Sequence, residues 1–239
     1  MRGRYSMQTG DPEGAPGDPG HADRGGAAGP RDRGCTATIL LCTLNGERFL
    51  DEQLASLDGQ TFTRWRLVVS DDGSTDRTRP ILQAFKSAHT PGQVEIIDGP
   101  RRGAPANFLF LACAQNPADA YYAFCDQDDV WEADKLARAI AILEQTPPGI
   151  PALYGSRTSL IDESGRQIGL SPLFPRMPTF RSALVQSIAG GNTMVFNGKA
   201  HELLGLCGPD VTVPSHDWWL YQVTSACGGM VHYLSLIHI

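Results

Sequence analysis

The chain has 239 residues, a formal net charge of −6 and a pI of about 5.5. This length suits one α/β domain or a tight pair of domains. The acidic balance disfavours a nucleic-acid-binding protein, because a polyanionic partner favours a basic surface, and no run reaches the ~18 apolar residues of a membrane-spanning helix.

Residues 1–34 are rich in Gly, Pro, Asp and Arg and nearly free of large apolar side chains. Such a segment cannot bury enough apolar surface to offset the entropy of ordering it. The composition therefore predicts a disordered tail, followed by one folded domain over residues 35–239.

From residue 36 onward, apolar runs alternate with segments of helical periodicity. A continuous apolar run is typical of a parallel strand buried on both faces, and apolar residues spaced three and four apart indicate a helix. The predicted strands are 38–44, 65–70, 94–97 and 121–125. The predicted helices are 49–57, a helix around Ile81 to Phe85, 107–114 and 133–143. Ser74 or Thr75 would cap the second of these helices. This alternation predicts a parallel sheet covered by helices.

The second half of the chain is less regular. We predict a strand at 152–155, a hairpin turn at 162–165, a strand at 193–196 behind Gly190-Gly191-Asn192, and an amphipathic helix from His216 to about Ala226. This region is therefore expected to be a smaller, mixed part of the same α/β domain.

Polar side chains cluster where the predicted strands end. Asn45, Asp71, Asp72, Asp126 and Asp128 all follow apolar runs, and ligands of open α/β sheets bind outside the carboxyl ends of the strands. Because Asp126 and Asp128 are two residues apart, they face the same side of an extended backbone. Paired carboxylates suit Mg²⁺ or Mn²⁺, and such a metal favours a phosphate-bearing ligand. The pattern predicts a nucleotide or nucleotide-sugar site.

Several motifs resemble one known family. They are TLNGERFL at 43–50, Gln53 with Ser56-Leu57 and Gln60-Thr61, SDDGSTD at 70–76, FCDQDDVW at 124–131 and HDWW at 216–219. Together they resemble the family 2 glycosyltransferases of the GT-A fold, and in particular the rhamnosyltransferase-like enzymes of bacterial surface polysaccharide assembly. The resemblance spans Ile39 to about Tyr233.

This resemblance implies a GT-A (Rossmann-like) fold: a mostly parallel sheet flanked by helices, with a nucleotide-sugar-binding half at 35–131 and an acceptor-side half at 132–239. It implies a metal-dependent, inverting transfer of sugar from a UDP- or dTDP-linked donor, such as dTDP-rhamnose. The acceptor hydroxyl would belong to a saccharide or a lipid-linked glycan.

The resemblance also implies residue roles. Asp126 and Asp128 would hold the metal on the donor diphosphate, and Asp217 would act as the catalytic base. The donor would be contacted at the nucleobase by Asp71, near the ribose by Asp72, and elsewhere by Thr43, Asn45, Glu47, Asn107 and Asp126.

Several of these roles have a structural alternative. Asp71 or Asp72 could form an Asx turn before Gly73, and Asp72 could instead support its loop. Glu47 and Asp217 could be acids at the positive ends of helices. The acidic residues after residue 125 could likewise face the positive end of the helix after Trp131. We favour this interpretation for Asp129.

Other residues are assigned with less support from the motifs. Arg101 and Arg102 are interpreted as solvated charges rather than diphosphate ligands, and Lys135 as a surface residue of its helix. Leu44 departs from the family, which often has an aromatic residue there, so base specificity is less securely implied.

The residues around the predicted base have open roles too. For His216 a structural role is favoured over a catalytic one, and the Trp218-Trp219 pair fits the core or an acceptor sugar. The 190–192 segment resembles the family's acceptor-side loop.

The six cysteines lie mostly in apolar runs and form no C-x-x-C pair, which predicts buried, reduced thiols. The first six residues lack the apolar core of a signal peptide. We therefore expect a protein of the cytosol or of the inner face of the membrane, peripherally associated at most.

The resembled enzymes continue with a basic, aromatic segment that closes over the donor, and we expect this chain to be a fragment whose last residues are not native. Two other functions remain open at this point. One is a non-catalytic nucleotide-sugar-binding protein. The other is a sugar nucleotidyltransferase, which would need a glycine-rich, basic loop after the first strand.

Overall fold

The computed structural model describes residues 36–115, 119–162, 165–174 and 177–237. The predicted tail at 1–34 lies outside these residues. The described part contains a seven-stranded sheet with the strand order β3-β2-β1-β4-β8-β5-β9 and a separate two-stranded hairpin, β6-β7.

The first half of the chain forms the parallel part of the sheet. Its strands are β1 (Ala37–Thr43), β2 (Trp65–Asp71), β3 (Val94–Asp98) and β4 (Tyr121–Cys125), and its helices are α1 (Leu50–Asp58), α2 (Thr78–Ala88), α3 (Ala104–Cys113) and α4 (Lys135–Leu143). Strand β1 is central, pairs in parallel with both β2 and β4, and is buried along its whole length. The predicted alternation of strand and helix is confirmed.

The second half completes the sheet with mixed pairing. Its elements are β5 (Ala152–Arg157), β6 (Ser159–Ile161), β7 (Gln167–Leu170), α5 (Phe180–Ala183), a 3₁₀ turn (Gly191–Thr193), β8 (Val195–Asn197), α6 (Gly198–Cys207), α7 (His216–Ala226) and β9 (Met230–Ile237). Strand β8 runs antiparallel to both β4 and β5, while β9 pairs in parallel with β5. This region is the expected mixed part of the domain.

The core occupies both faces of the sheet. On β1, Ile39 and Leu41 belong to one buried cluster, which includes side chains of α1, α2 and α4, whereas Leu40 belongs to the other, with α3, α6 and α7. Because the side chains of a strand alternate between the two faces of the sheet, β1 contributes to both clusters only if its successive residues are apolar. Each fully buried leucine contributes about 1.5–3 kcal/mol.

Two local predictions were wrong. Helix α2 begins at Thr78, and neither Ser74 nor Thr75 caps it, because the Ser74 hydroxyl instead donates to the Asp71 carboxylate at 2.5 Å. The strand predicted at 193–196 starts only at Val195, since the residues before it form the 3₁₀ turn.

The cysteines and the membrane prediction can be compared with the described residues. Cys42 and Cys125 are buried free thiols, whereas the free thiol of Cys227 is exposed. Among the helices of the described ranges, none has the length and apolar character needed to cross a membrane.

Candidate active site

A cavity of about 170 Å³ lies at the carboxyl ends of the parallel strands. Five predicted site residues line it: Thr43, Asp72, Asn107, Asp126 and Asp128. The structure thus brings together residues from β1, the β2 end, α3 and the β4 end, as the strand-end argument predicted.

A second cavity is larger but poorer in chemistry. It measures about 570 Å³ and lies around Leu173, Phe174, Val185 and Ile188, with Arg181 as its one charged lining residue. Carboxylates and hydrogen-bonding side chains converge on the smaller cavity. We therefore assign the candidate active site to the smaller cavity, although the other cavity has the larger volume.

Asp126 is at the centre of the acidic cluster. Burial raises its pKa, the carboxylates of Asp129, Asp128 and Asp217 raise it further, and the result is a pKa of about 7. Several carboxylates that repel one another favour a shared cation.

The donor set fits a hard divalent metal held partly by its ligand. In the described part of the chain, no three His, Cys, Asp or Glu side chains converge as around a fully protein-coordinated ion. Asp126 and Asp128 nevertheless line the cavity. Mg²⁺ is commonly bound by one or two carboxylates together with water and substrate phosphates, so this pair is a suitable donor set.

Asp129 does not serve helix α4, contrary to the prediction. Its Oδ1 accepts a hydrogen bond from Asn192 Nδ2 at 2.9 Å, and α4 begins six residues later, at Lys135. The chain between Trp131 and Asp134 separates the carboxylate from the helix end. Asp129 therefore connects the acidic loop, which is residues 126–129 after β4, to the segment before β8.

The surface assignment of Lys135 is also wrong. The side chain is 1% exposed, its ammonium donates to the Asn192 carbonyl oxygen, and Nζ lies 3.3 Å from the Trp131 ring centroid. Burial lowers the pKa of Lys135 to about 7, against the opposing effects of Cys125, Asp129 and Asp126. Sequence did contain a signal: Lys135 is four residues before the buried Ala139, on the apolar stripe of α4.

Asp71 is fully engaged by its neighbours. Oδ1 accepts from the Ser74 and Thr43 hydroxyls at 2.5 and 3.1 Å, and Oδ2 accepts from Arg79 Nε at 2.8 Å. Burial would raise the pKa of Asp71, but hydrogen bonds from Ser74, Arg79 and Thr43 outweigh it and hold the pKa below its ordinary value. This carboxylate organises the loop after β2.

Asp72 and Asn107 join the β2 end to α3. The Asp72 carboxylate accepts from the backbone N–H groups of Arg101 and Gly103 at 2.6 and 3.1 Å, instead of forming an Asx turn before Gly73. Asn107 is 1% exposed and exchanges two hydrogen bonds with Ser70, one with its hydroxyl and one with its carbonyl. Both side chains shape the cavity wall.

The two arginines before α3 differ in their surroundings. Both are exposed. Arg102 forms an exposed ion pair with Asp210 at 3.1 Å, which agrees with the surface assignment. Arg101 has a positive φ of 57°.

The loop after β1 is attached to two other loops. Asn45 Oδ1 accepts from the Thr75 N–H at 2.9 Å, and Glu47 Oε2 accepts from the Arg77 N–H at 2.8 Å. Their side chains thus hold the 74–77 segment, while remaining exposed at the rim.

Gln127 connects the same loop to the acidic segment. Its side-chain amide accepts from the Leu44 N–H at 2.9 Å and donates to the Leu44 carbonyl at 3.2 Å. Leu44 is 47% exposed beside the cavity, which leaves an aliphatic surface there in place of an aromatic ring.

Asp217 is the second residue of helix α7 and contacts the 3₁₀ turn. Its Oδ2 accepts from the Gly191 N–H at 2.8 Å, and its Oδ1 accepts from the Trp218 N–H at 2.6 Å and from the Ser215 hydroxyl. The carboxylate raises the pKa of Asp126, so it is electrostatically part of the acidic cluster.

His216 is a buried aromatic partner rather than a charged one. Its ring stacks on Phe108 at 3.9 Å between centroids and meets Phe124 edge-on at 4.6 Å. Burial lowers its pKa to about 4, against the effect of Asp217. His216 is therefore neutral at pH 7.

The Trp pair is half-buried against the core. Trp218 Nε1 donates to the Ala183 carbonyl at 2.6 Å, which fixes that ring against α5. This contact supports packing as the role of Trp218.

Comparison with known families decides the class of protein. Residues 38–199, more than half of the chain, match the model of the glycosyl transferase family 2. The chain belongs to the family 2 glycosyltransferases. The family 2 match contains the acidic loop and both Asp71 and Asp72, whereas Asp217 lies beyond it.

Two curated relatives are named as sugar transferases. The chain is similar to the putative teichuronic acid biosynthesis glycosyltransferase TuaG of Bacillus subtilis, with 26% identity over 67% of this chain and 61% of the relative. It is also similar to the dTDP-rhamnosyl transferase RfbG of Shigella flexneri, with 28% identity over 76% of this chain and 64% of the relative. The chain thus spans less than two thirds of the length of these two glycosyltransferases.

A solved structure shares the fold. The S. aureus TarS 1–349 structure in complex with UDP-GlcNAc has a TM-score of 0.62 and 19% identity, over 85% of this chain and 57% of that one. At this identity the likeness concerns the fold alone. The α/β architecture, with its mostly parallel sheet, is the GT-A fold that the sequence predicted.

Proposed function

We propose that this family 2 glycosyltransferase transfers a sugar from a UDP- or dTDP-linked donor to an acceptor hydroxyl, with Mg²⁺ or Mn²⁺ and with inversion at the anomeric carbon. The observation that carries the proposal is the acidic cluster around Asp126: Asp126 and Asp128 line the cavity, and the carboxylates of Asp129, Asp128 and Asp217 raise the pKa of Asp126. Their mutual repulsion favours a cation, and a diphosphate completes its coordination.

In this proposal Asp126 and Asp128 hold the metal. When bound, the metal neutralises the charge that develops on the leaving diphosphate. Gln127, which lies between them, forms two hydrogen bonds with Leu44 of the loop after β1, and these bonds hold the acidic segment beside the cavity that would receive the diphosphate.

The nucleoside would occupy the cavity between β1 and α3. Thr43, Leu44 and Asn107 line it, and Asn45, Glu47, Asp71 and Asp72 hold the loops that shape it. Direct contact of Asp71 with the nucleobase remains a prediction. Because both its oxygens already accept hydrogen bonds, such contact would be an addition to its structural role.

Asp217 would take the acceptor proton. Oδ1 accepts from the Trp218 N–H and the Ser215 hydroxyl, and Oδ2 accepts from the Gly191 N–H. These bonds orient the carboxylate and leave one lone pair of Oδ2 for a hydroxyl. A base on the face opposite the leaving group is what an inverting displacement requires.

The donor and acceptor classes draw support from the relatives. RfbG is named a dTDP-rhamnosyl transferase, the TarS structure contains UDP-GlcNAc, and TuaG is named for teichuronic acid biosynthesis. By analogy we propose a role in surface polysaccharide assembly, with a saccharide or a lipid-linked glycan as acceptor. The predicted location, in the cytosol or at the inner face of the membrane, fits this role.

The test is release of nucleoside diphosphate from a panel of UDP- and dTDP-sugars, with Mn²⁺ or with EDTA. We expect metal-dependent release that falls at least about 100-fold in Asp217→Asn, the lower end of the range for loss of a general base, and is unchanged in the exposed Asp210→Asn control. Release that Asp217→Asn leaves unaltered would remove Asp217 from the base role. Metal-dependent binding without release from any donor would favour a non-catalytic binding protein.

A further inference from the structure

Lys135 is a buried cation without a role in the proposed chemistry. It is 1% exposed, among Trp131, Asp126 and Asp129. Burying an ammonium costs several kcal/mol unless its surroundings compensate. Its hydrogen bond, however, goes to the backbone carbonyl of Asn192. This acceptor indicates that Lys135 fixes the position of the Asn192 backbone.

Asn192 is held at two points by the acidic loop and helix α4. Lys135 binds its carbonyl oxygen, and Asp129 Oδ1 accepts from its Nδ2 at 2.9 Å. The second Asp129 oxygen is buried and has no hydrogen-bond partner in the described residues. The Asn192 amide therefore supplies the hydrogen bond that this buried carboxylate accepts.

The preceding residue touches the proposed base. The Gly191 N–H donates to Asp217 Oδ2 at 2.8 Å. Gly191 is also packed closely, because a Cβ there would lie 2.7 Å from His216 Nε2 and 3.2 Å from Asp217 Cβ. A shift of this turn would therefore disturb the contact with Asp217 Oδ2, while Oδ1 is held by Ser215 and the Trp218 N–H.

These contacts form one continuous connection from the acidic loop to the base. We define the Asn192 clamp as Lys135, Asp129 and Asn192, which hold the Gly191 N–H against Asp217. We propose that the Asn192 clamp positions the Asp217 carboxylate relative to the metal-binding loop, so that Lys135 and Asn192 are positioning residues for sugar transfer. This inference rests on the proposed role of Asp217.

A simpler role for Lys135 is that of a counterion that lowers the repulsion among the carboxylates. A counterion acts on the affinity for Mn²⁺ and is indifferent to the geometry of Gly191. Asn192→Ala removes no charge and takes away only the side-chain bond to Asp129, whereas Lys135→Met takes away the bond to the Asn192 carbonyl. The Asn192 clamp predicts that both variants loosen the Gly191 N–H from Asp217.

The first measurement needs no substrate. Amide hydrogen exchange of Gly191, followed by NMR in the metal-free protein, reports the hydrogen bond to Asp217 directly. We expect exchange to accelerate at least about tenfold in Lys135→Met and in Asn192→Ala. The matched control is Lys199→Met, which removes an exposed lysine paired with Glu202 and should leave exchange unchanged.

The second measurement is kinetic. Loss of a supporting partner typically costs about 10–100-fold, so both variants should lower kcat by this factor while the donor KM stays within about twofold. In the Asp217→Asn background, Lys135→Met should produce no further loss, because the group that it positions is gone.

Several results would overturn the proposal. Unchanged Gly191 exchange in folded Lys135→Met and Asn192→Ala would do so, as would a full kcat in both, or an undiminished Lys135→Met effect in the Asp217→Asn background. If Lys135→Met does not fold, Asn192→Ala alone decides. Full transfer in Asp217→Asn would instead refute the proposed base, while the exchange data would still report on the Asn192 clamp.

Discussion

Replacing Asp126 by Asn should stabilise the metal-free protein while removing metal binding. Burial and three neighbouring carboxylates raise the pKa of Asp126 from 3.8 to about 7. At 1.36 kcal/mol per pKa unit, the ionised form costs up to about 4 kcal/mol of folding free energy. Relaxation of the protein and access of solvent reduce this cost. We expect Asp126→Asn to raise the free energy of unfolding by about 2 kcal/mol, which corresponds to a rise of about 4–8 °C in Tm.

The sign of the pH dependence follows from the raised pKa. Below about pH 4 the carboxyl is protonated in both states and Asp126→Asn gains nothing. As the pH rises towards 7 the unfolded state releases its proton first, so the wild type loses stability relative to the variant. The advantage of Asp126→Asn is therefore fully present only above about pH 7.

The assay is thermal unfolding in EDTA from pH 4 to pH 8, with Asp51→Asn as control. Asp51 is an exposed acid in the first turn of α1, whose replacement should not produce this pH dependence. A lower Tm for Asp126→Asn at pH 8, or a difference independent of pH, would refute the reasoning. Adding Mn²⁺ with UDP should raise the Tm of the wild type only.

Two further substitutions test the organisation of the site. Asp71→Asn should destabilise the protein by about 2–3 kcal/mol in urea unfolding, because the buried acceptor of Arg79 loses its charge; a change below about 0.5 kcal/mol would show that the network is dispensable. Gly191→Ala should lower kcat at least about tenfold, since the added Cβ would lie 2.7 Å from His216 Nε2 and displace Asp217. Gly205→Ala, which meets nothing within 4 Å, is its control, and equal kcat in both variants would contradict this role.

Sequence predicted the features that depend on local pattern. The apolar run of β1 predicted a central strand because only a strand buried on both faces lacks polar alternation, and the strand-end acids followed from the topology of parallel sheets. Asp126 and Asp128 were therefore predicted on the wall of a cavity that the structure does contain.

The rest depended on contacts between distant parts of the chain. The bond from Asn192 to Asp129 joins residues 63 apart, and no local pattern reports such a pairing. Lysines are rarely buried, which favours a surface position for Lys135, whereas here the amine contacts Trp131 and the Asn192 carbonyl, and burial lowers its pKa to about 7. Serine is suited to capping a helix, but Asp71 competes successfully for the Ser74 hydroxyl.

The most direct test of the central claim is a thermal-shift titration of UDP- and dTDP-sugars with Mn²⁺ or EDTA, in the wild type and in Asp128→Asn. We predict that at least one donor stabilises the wild type by about 2.7 kcal/mol at 100 times its Kd, and that EDTA or Asp128→Asn removes most of this gain. No shift with any donor, or a shift that neither EDTA nor Asp128→Asn reduces, would contradict a metal-dependent nucleotide-sugar site at Asp126 and Asp128.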